Sequence, residues 1–291
     1  MYVPSFCSLL NTSMFLEECF RQFVLGFIQG CTEFLPISST AHLKVIPVLL
    51  GWGDPGVSVT AAIQFGSIIA VFVYFSNDLR SVAKGFSATF LRGNWSKPNA
   101  ILANSLIMAT LPILFAGVIV KFFWPGYQIS QLRTLSSIGI ISIIMASILA
   151  IAEKYSSAHK SFEKISGFDG FFVGLAQVIA LIPGASRSGV TITAGLIRGL
   201  DRNSAARFSF LIGIPAITFS GLVEIKDAIH SGYSGGLLPL FVGIATAAIT
   251  SWFAIDFLLK FLQRNSTIIF VIYRFFFGSF LLVWSYLINT A

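Results

Sequence analysis

A carboxylate, two hydroxyls and an imidazole stand close together in an otherwise apolar stretch: Glu33, Ser38, Ser39 and His42. A base beside a hydroxyl is the arrangement that activates a nucleophile or holds a water for attack. Further along, Ser186, Arg187, Ser188 and Thr191 follow Pro183-Gly184-Ala185. Arginine offers a planar fork matched to phosphate, and hydroxyls add donors around it. In both places the serines precede an apolar run, where N-caps stand, so free N–H groups of a helix start would face an anion. Capping explains any one serine, but it requires neither Arg187 nor Glu33 nor His42. The chemistry these groups share is the handling of a phosphate.

The elements that must position them are interrupted helices. Gly26-Phe27-Ile28-Gln29 leads to Pro36 and Ser38-Ser39-Thr40; Gly174-Leu175-Ala176-Gln177 leads to Pro183 and Ser186-Arg187-Ser188. With one residue of slippage the same pattern occurs twice, half a chain apart. Stretches before and after each proline read as too short or too polar to span a bilayer, which predicts two re-entrant helical hairpins. Repeated breaks of this kind point to a site at the interface of two repeats.

Composition sets the surroundings. Of 291 residues, 55% are hydrophobic and 11% charged, against roughly 25% charged in an ordinary soluble domain. A soluble globular enzyme is excluded, and so is a disordered chain, since 30 Phe residues oppose disorder. The net charge of +7 comes without a basic run, so it predicts no nucleic-acid partner. Cys7, Cys19 and Cys31 show no metal spacing and read as small packing residues. The start of the chain lacks the pattern of a cleaved signal peptide. Six stretches are long and apolar enough to cross a membrane: Val57 to Phe75, Ala100 to Val120, Leu135 to Ala152, Phe208 to Val223, Leu237 to Leu259 and Ile268 to Ile288.

The fold class expected is therefore an all-α integral membrane protein, with six long transmembrane helices and two re-entrant hairpins. It forms one polytopic domain over residues 1–291, with repeats of roughly 15–152 and 165–291. The positive-inside rule gives the orientation. Arg80, Lys84, Arg92 and Lys97 place one loop in the cytoplasm, and Lys154 to Lys164, Arg198 to Arg207 and Lys260 with Arg264 follow it there. Fewer cations, Arg21, Lys44, Lys121, Arg133 and Lys226, fall outside. The hairpins then enter from opposite faces, so the repeats are inverted. Asp256 and Arg274, at comparable depth on the last two spans, are expected to form a structural ion pair.

The run Gln29-Gly30-Cys31-Thr32-Glu33-Phe34-Leu35-Pro36-Ile37-Ser38-Ser39-Thr40-Ala41-His42, with Pro183 to Thr191, resembles the two signature motifs of the undecaprenyl-diphosphate phosphatase, or bacitracin-resistance, family. The likeness extends through Asp201-Arg202 and Phe208-Ser209-Phe210 and covers essentially the whole chain. It implies hydrolysis of undecaprenyl diphosphate in the bacterial plasma (inner) membrane, with the site toward the periplasm. Its implied partners are the polyprenyl diphosphate and membrane lipids, and a homodimer is compatible with it. A divalent cation, magnesium or else calcium, is implied, with Glu33 as its ligand. By position Glu33, Ser39, His42 and Arg187 are the catalytic candidates, and Gln29, Ser38, Gly184, Ser186, Ser188 and Thr191 the substrate-binding ones. Gln29 stands where the family has Glu or Gln, which leaves Glu33 the one carboxylate of the first motif. A secondary transporter or lipid flippase is the rival, because broken helices suit it equally; a carrier, however, needs no nucleophile or base.

Overall fold

Glycine and proline bound the short helices around the two turns, although Pro47, Pro112 and Pro215 lie inside helices. The computed structural model describes residues 6–90, 93, 98–124, 126–127, 130–231 and 236–290. Among these, eleven α-helices occur in the order α1 (Phe6–Glu33), α2 (Ser39–Leu49), α3 (Gly56–Tyr74), α4 (Ser76–Phe90), α5 (Pro98–Phe123), α6 (Leu135–Tyr155), α7 (Gly167–Gln177), α8 (Arg187–Ile197), α9 (Arg202–Ser231), α10 (Leu237–Leu262) and α11 (Ile268–Thr290).

Two short helices, α2 and α8, are built alike. Each has 11 residues and starts after a serine with positive φ, Ser38 at 76° and Ser186 at 68°. Each ends at a glycine in the left-handed region, Gly51 at 73° and Gly199 at 78°. There Trp52 N–H donates to the Pro47 carbonyl and Gly51 N–H to that of Val48; Leu200 and Gly199 repeat this on Gly195 and Leu196. This double bond pattern is a Schellman stop, which needs a residue free to take positive φ. Preceding them, α1 ends three residues before Pro36. Its counterpart α7 passes into a 3₁₀ turn, Val178–Leu181, just before Pro183.

The long helices cross where side chains are small. Helix α1 runs along α10, α7 along α5, α6 along α11 and α3 along α9. At Gly26 a Cβ would come within 2.2 Å of the Gly243 carbonyl oxygen, and at Gly174 within 2.3 Å of that of Ala109. In lipid, where apolar side chains gain little by leaving their solvent, such close backbone approach supplies the packing. The outer surface is correspondingly greasy: Phe122 of α5 is 73% exposed and Phe276 of α11 75%. Inside, Phe34 lies edge-on to Phe210 with ring centroids 5.1 Å apart, in a buried cluster with Phe208, Leu149 and Ile212.

Four helices, α5, α6, α10 and α11, are long and apolar enough to cross a membrane among the described residues; a fifth crossing results if α3 and α4, bent by 77°, count as one. This is a multi-pass helical protein, but the six expected stretches are not six uniform spans. Val57 to Phe75 ends at the bend, and Phe208 to Val223 lies inside the 30-residue α9 around Pro215. The leading arm of the first hairpin, expected to be short, is the 28-residue α1. Arg92 and Lys97, two cations of the predicted cytoplasmic loop, lie outside the described residues.

At the base of the second hairpin, outside the candidate spans, Asp169 collects its donors. Ser166 and Asp169 form a capping box on α7; Arg198 Nε donates to Asp169 Oδ1 at 2.9 Å, and Lys160 donates to Oδ2. Burial pushes this carboxyl up, yet hydrogen bonds from Lys160, Ser166 and Arg198 outweigh it and hold the pKa at about 2. Nearby, Lys160 and Leu200 pair as an isolated parallel bridge.

Candidate active site

Both positive-φ serines end a turn, so the residue that follows starts a helix aimed back at the other hairpin. Ser39 opens α2 and Arg187 opens α8, and both reach Glu33, the last residue of α1. Ser39 Oγ donates to Glu33 Oε2 at 2.7 Å; Arg187 Nη2 donates to Oε1 at 3.1 Å. Gln29, one turn earlier on α1, adds a 3.0 Å bond to Oε2, and Gln64 of α3 a longer one, 3.5 Å, to Oε1. The Glu33 side chain is only 4% exposed. Both oxygens of this buried carboxylate are thus supplied with donors, as a buried polar group requires.

Arg187 is braced from three sides. Its Nη1 donates to the Ser209 carbonyl at 3.0 Å, its guanidinium lies 5.8 Å from the Phe34 ring centroid, and Gly213 makes room, since a Cβ there would sit 2.2 Å from Nη1. Its Nε is buried without a partner. An unpaired donor on an otherwise fixed guanidinium is open to a further partner, and the Nε of Arg274 is left in the same state.

These groups border a cavity of about 280 Å³. Of the sequence candidates, Gln29, Glu33, Ser38, Ser39, Gly184, Ser186 and Arg187 line it; His42, Ser188 and Thr191 do not. Ser188 Oγ donates to the Leu35 carbonyl at 2.9 Å, tying the second hairpin to the first turn. Thr191 donates to the Arg187 carbonyl at 2.8 Å and meets Ser209 Oγ at 2.6 Å, which fixes the start of α8. His42 is buried and stacked on Phe277, with centroids 4.3 Å apart. Its Nδ1 is 2.7 Å from the Ser38 carbonyl, an acceptor, so Nδ1 carries the proton; Nε2 then accepts from Tyr273 Oη at 2.5 Å. His42 thus anchors the carbonyl of the strained serine. Ser186 Oγ accepts from Gly189 N–H at 3.2 Å as an N-cap, whereas Ser38 makes no such cap.

The expected Asp256–Arg274 ion pair is absent. Asp256 accepts from Tyr74 Oη at 3.1 Å and from Lys260 at 2.8 Å. Arg274, fully buried, donates to the carbonyls of Gly184 at 2.8 Å, Ala185 at 3.1 Å and Pro36 at 3.4 Å. It is the rivet between the two turns. Comparable depth misled because the two helices are not packed on each other: α10 runs along α1 and α3, and α11 along α6. Gln64, Ser209, Gly213 and Tyr273 were also missed as site residues. Each is a small or polar residue on an apolar helix, and the only available signal was that such residues turn inward in a membrane.

Residues 22–280 match the family model described as bacitracin resistance protein BacA. A protein named undecaprenyl-diphosphatase from Synechococcus sp. (strain WH7803) is 59% identical over 92% of this chain and 94% of its own length. Another of that name, from Prochlorococcus marinus (strain MIT 9303), is 57% identical over 97% of both chains. With both signature hairpins meeting at one buried carboxylate, and a family model spanning most of the sequence, the chain belongs to the bacitracin resistance protein BacA family.

Proposed function

We propose that this chain is a membrane phosphatase that hydrolyses undecaprenyl diphosphate to undecaprenyl phosphate and inorganic phosphate. It recycles the lipid carrier of cell-wall synthesis and confers bacitracin resistance. The observation that carries the mechanism is Glu33, which receives Ser39 on one oxygen and Arg187, with its unpaired Nε, on the other.

Phosphoryl transfer asks for charge stabilisation and a placed nucleophile more than for elaborate covalent chemistry. The distal phosphate enters beside Arg187, whose Nε and released Nη2 bond its equatorial oxygens while Ser209 and Phe34 keep the guanidinium in place. With Arg187 turned to the phosphate, Glu33 Oε2 stays in place as the acceptor of the Ser39 hydroxyl. The Ser39 hydroxyl, or a water it holds, loses its proton to Oε2 and attacks the distal phosphorus. The bond from that phosphorus to the bridging oxygen breaks, and its electron pair leaves with the lipid monophosphate. Where Ser39 itself attacks, a water then attacks the phosphoserine, the bond from phosphorus to Oγ breaks, and inorganic phosphate leaves as Ser39 regains its proton from Glu33. The cavity-lining turn of Gly184 to Ser186 gives the start of α8 its N–H groups, and Gln29 and Ser38 hold the first turn.

For a divalent cation the donor set fits in one form. Among the described residues no group of three His, Cys, Asp or Glu comes together. Oε1 of Glu33, with its loose 3.5 Å contact to Gln64, can serve an ion that keeps its waters and takes one carboxylate plus phosphate oxygens. When bound, magnesium or calcium supplies neutralisation of the phosphate charge.

The finer architecture we read as an inverted repeat of six spans and two hairpins in the inner membrane. Supporting it, α1 pairs with α10 as α7 does with α5, while α6–α11 and α3–α9 are pairs of counterparts. A site toward the periplasm is favoured because Lys44 and Arg133, both among the cations assigned outside, line the cavity with Glu33. The cations of the cytoplasmic set lie elsewhere, with Arg198 and Lys160 on Asp169 and Arg207 on Asp78.

The test is phosphate release from a prenyl diphosphate by purified protein in detergent, with and without magnesium. Wild type should turn over and respond to the metal, and Glu33→Gln should lose that response. Lipid binding without release would favour a carrier.

A further inference from the structure

The cavity holds more positive charge than the chemistry at its inner end uses. Glu33 and Arg187 form a buried pair and cancel. The remaining charged residues on its wall are Lys44, Arg133 and Asp54, all more exposed than Glu33 and therefore at the outer end. Neither Lys44 nor Arg133 has an ion-pair partner among the described residues. Lys44 donates to the backbone carbonyl of Arg133, which ties α2 to the turn before α6, and Asp54 is engaged by the Gly56 N–H at 2.9 Å.

A diphosphate carries about two to three negative charges at neutral pH, and a neutral inner pair cannot balance them. Its phosphorus atoms share one bridging oxygen. With the distal phosphate against Ser39 and Arg187, the proximal one must lie further out, because Gln29, Glu33 and Ser67 close the inner end with buried side chains. We propose that Lys44 and Arg133 form a second anion subsite that holds the proximal phosphate, the one that stays on the lipid. The two cations stabilise charge developing on the bridging oxygen as it leaves, and they retain the lipid monophosphate after cleavage. This rests on the hydrolytic reading for the order of the two phosphates.

The experiment is a calorimetric titration of the purified full-length protein in detergent with farnesyl monophosphate, a short prenyl phosphate, and separately with inorganic phosphate. The variants are Arg133→Gln, Lys44→Gln, which keeps a donor for the Arg133 carbonyl, and Asp54→Asn. A charge-assisted contact is worth enough that each cation variant should weaken farnesyl monophosphate at least about tenfold. Inorganic phosphate, free to sit at Arg187, should change less than about threefold. Asp54→Asn should tighten farnesyl monophosphate, an outcome that damage to the rim would not give. The subsite is overturned if wild type binds no farnesyl monophosphate, if both ligands weaken equally, or if Asp54→Asn weakens binding with the other two. Phosphate release by wild type is scored apart: its absence, with this binding pattern intact, defeats the hydrolytic reading and leaves the subsite standing.

Discussion

The first and second hairpins share a backbone and divide the chemistry. Each turns through a serine at positive φ into an 11-residue helix that ends in a glycine stop. Yet where the first has Glu33 the second has Leu181, and where the first opens its helix with Ser39 the second uses Arg187. The glutamines diverge as well. Gln29 bonds Glu33 and Ser67, whereas its counterpart Gln177 is fully buried with neither amide atom bonded. Shared geometry delivers two helix starts to one point; the unequal residues then put a carboxylate and a hydroxyl on one side and a guanidinium on the other. Two identical hairpins would face each other with like charges.

The largest effect should come from altering the cationic side alone. Arg187→Lys keeps the charge but loses the fork, and loss of a preorganised contact to developing charge costs about 2.7 to 4 kcal/mol. Turnover, read as phosphate release at saturating lipid and magnesium, should fall at least about a hundredfold while the protein purifies normally. Near-normal hydrolysis would make Arg187 a mere counter-ion to Glu33.

Next in size is the rivet between the hairpins. Arg274→Gln leaves at least two buried carbonyls unbonded, so stability should fall by about 2 to 3 kcal/mol, seen as a lower melting temperature in detergent. Asp256→Asn, on a separate network, should add its own small effect independently. A double variant more stable than Arg274→Gln alone would reinstate an Asp256–Arg274 coupling.

The smallest effect discriminates the two glutamines. Gln29→Leu removes a donor from Glu33 and should cost about 1 to 2 kcal/mol in stability and lower activity. Gln177→Leu relieves a buried unbonded amide and should be neutral or stabilising in the same melts. Equal losses at both positions would mean that the second glutamine has a role the asymmetry denies.

Much of this comparison was legible in the sequence because prolines, serines and glycines specify turns locally. The repeated pattern around Pro36 and Pro183 marked both breaks, and the rarity of charge in an apolar chain singled out Glu33 and Arg187. What stayed hidden depends on which way a helix faces. Gln64 on α3 and Tyr273 on α11 sit in runs that are apolar nearly all round, so periodicity gives no clear inward stripe to read. Lys44 and Arg133 carried a topological meaning that masked their place on the cavity wall. His42 had the right chemistry and spacing, but one helical turn carried it to Tyr273 rather than to Glu33.

The lacing at the foot of the second hairpin bears on how the chain would leave the membrane under force. Lys160 N–H donates to the Gly199 carbonyl, Asp201 N–H to that of Lys160, and Asp169 is held from both sides by Lys160 and Arg198. Entry and exit of the loop are therefore joined directly to each other. A load applied at the C-terminus would peel α11, α10 and α9 in turn, then meet a closed ring in which the pull passes through the laced foot and leaves α7 and α8 slack. The buried turn that carries Arg187 stays shielded until the foot gives way, and then the whole loop is extracted in one step.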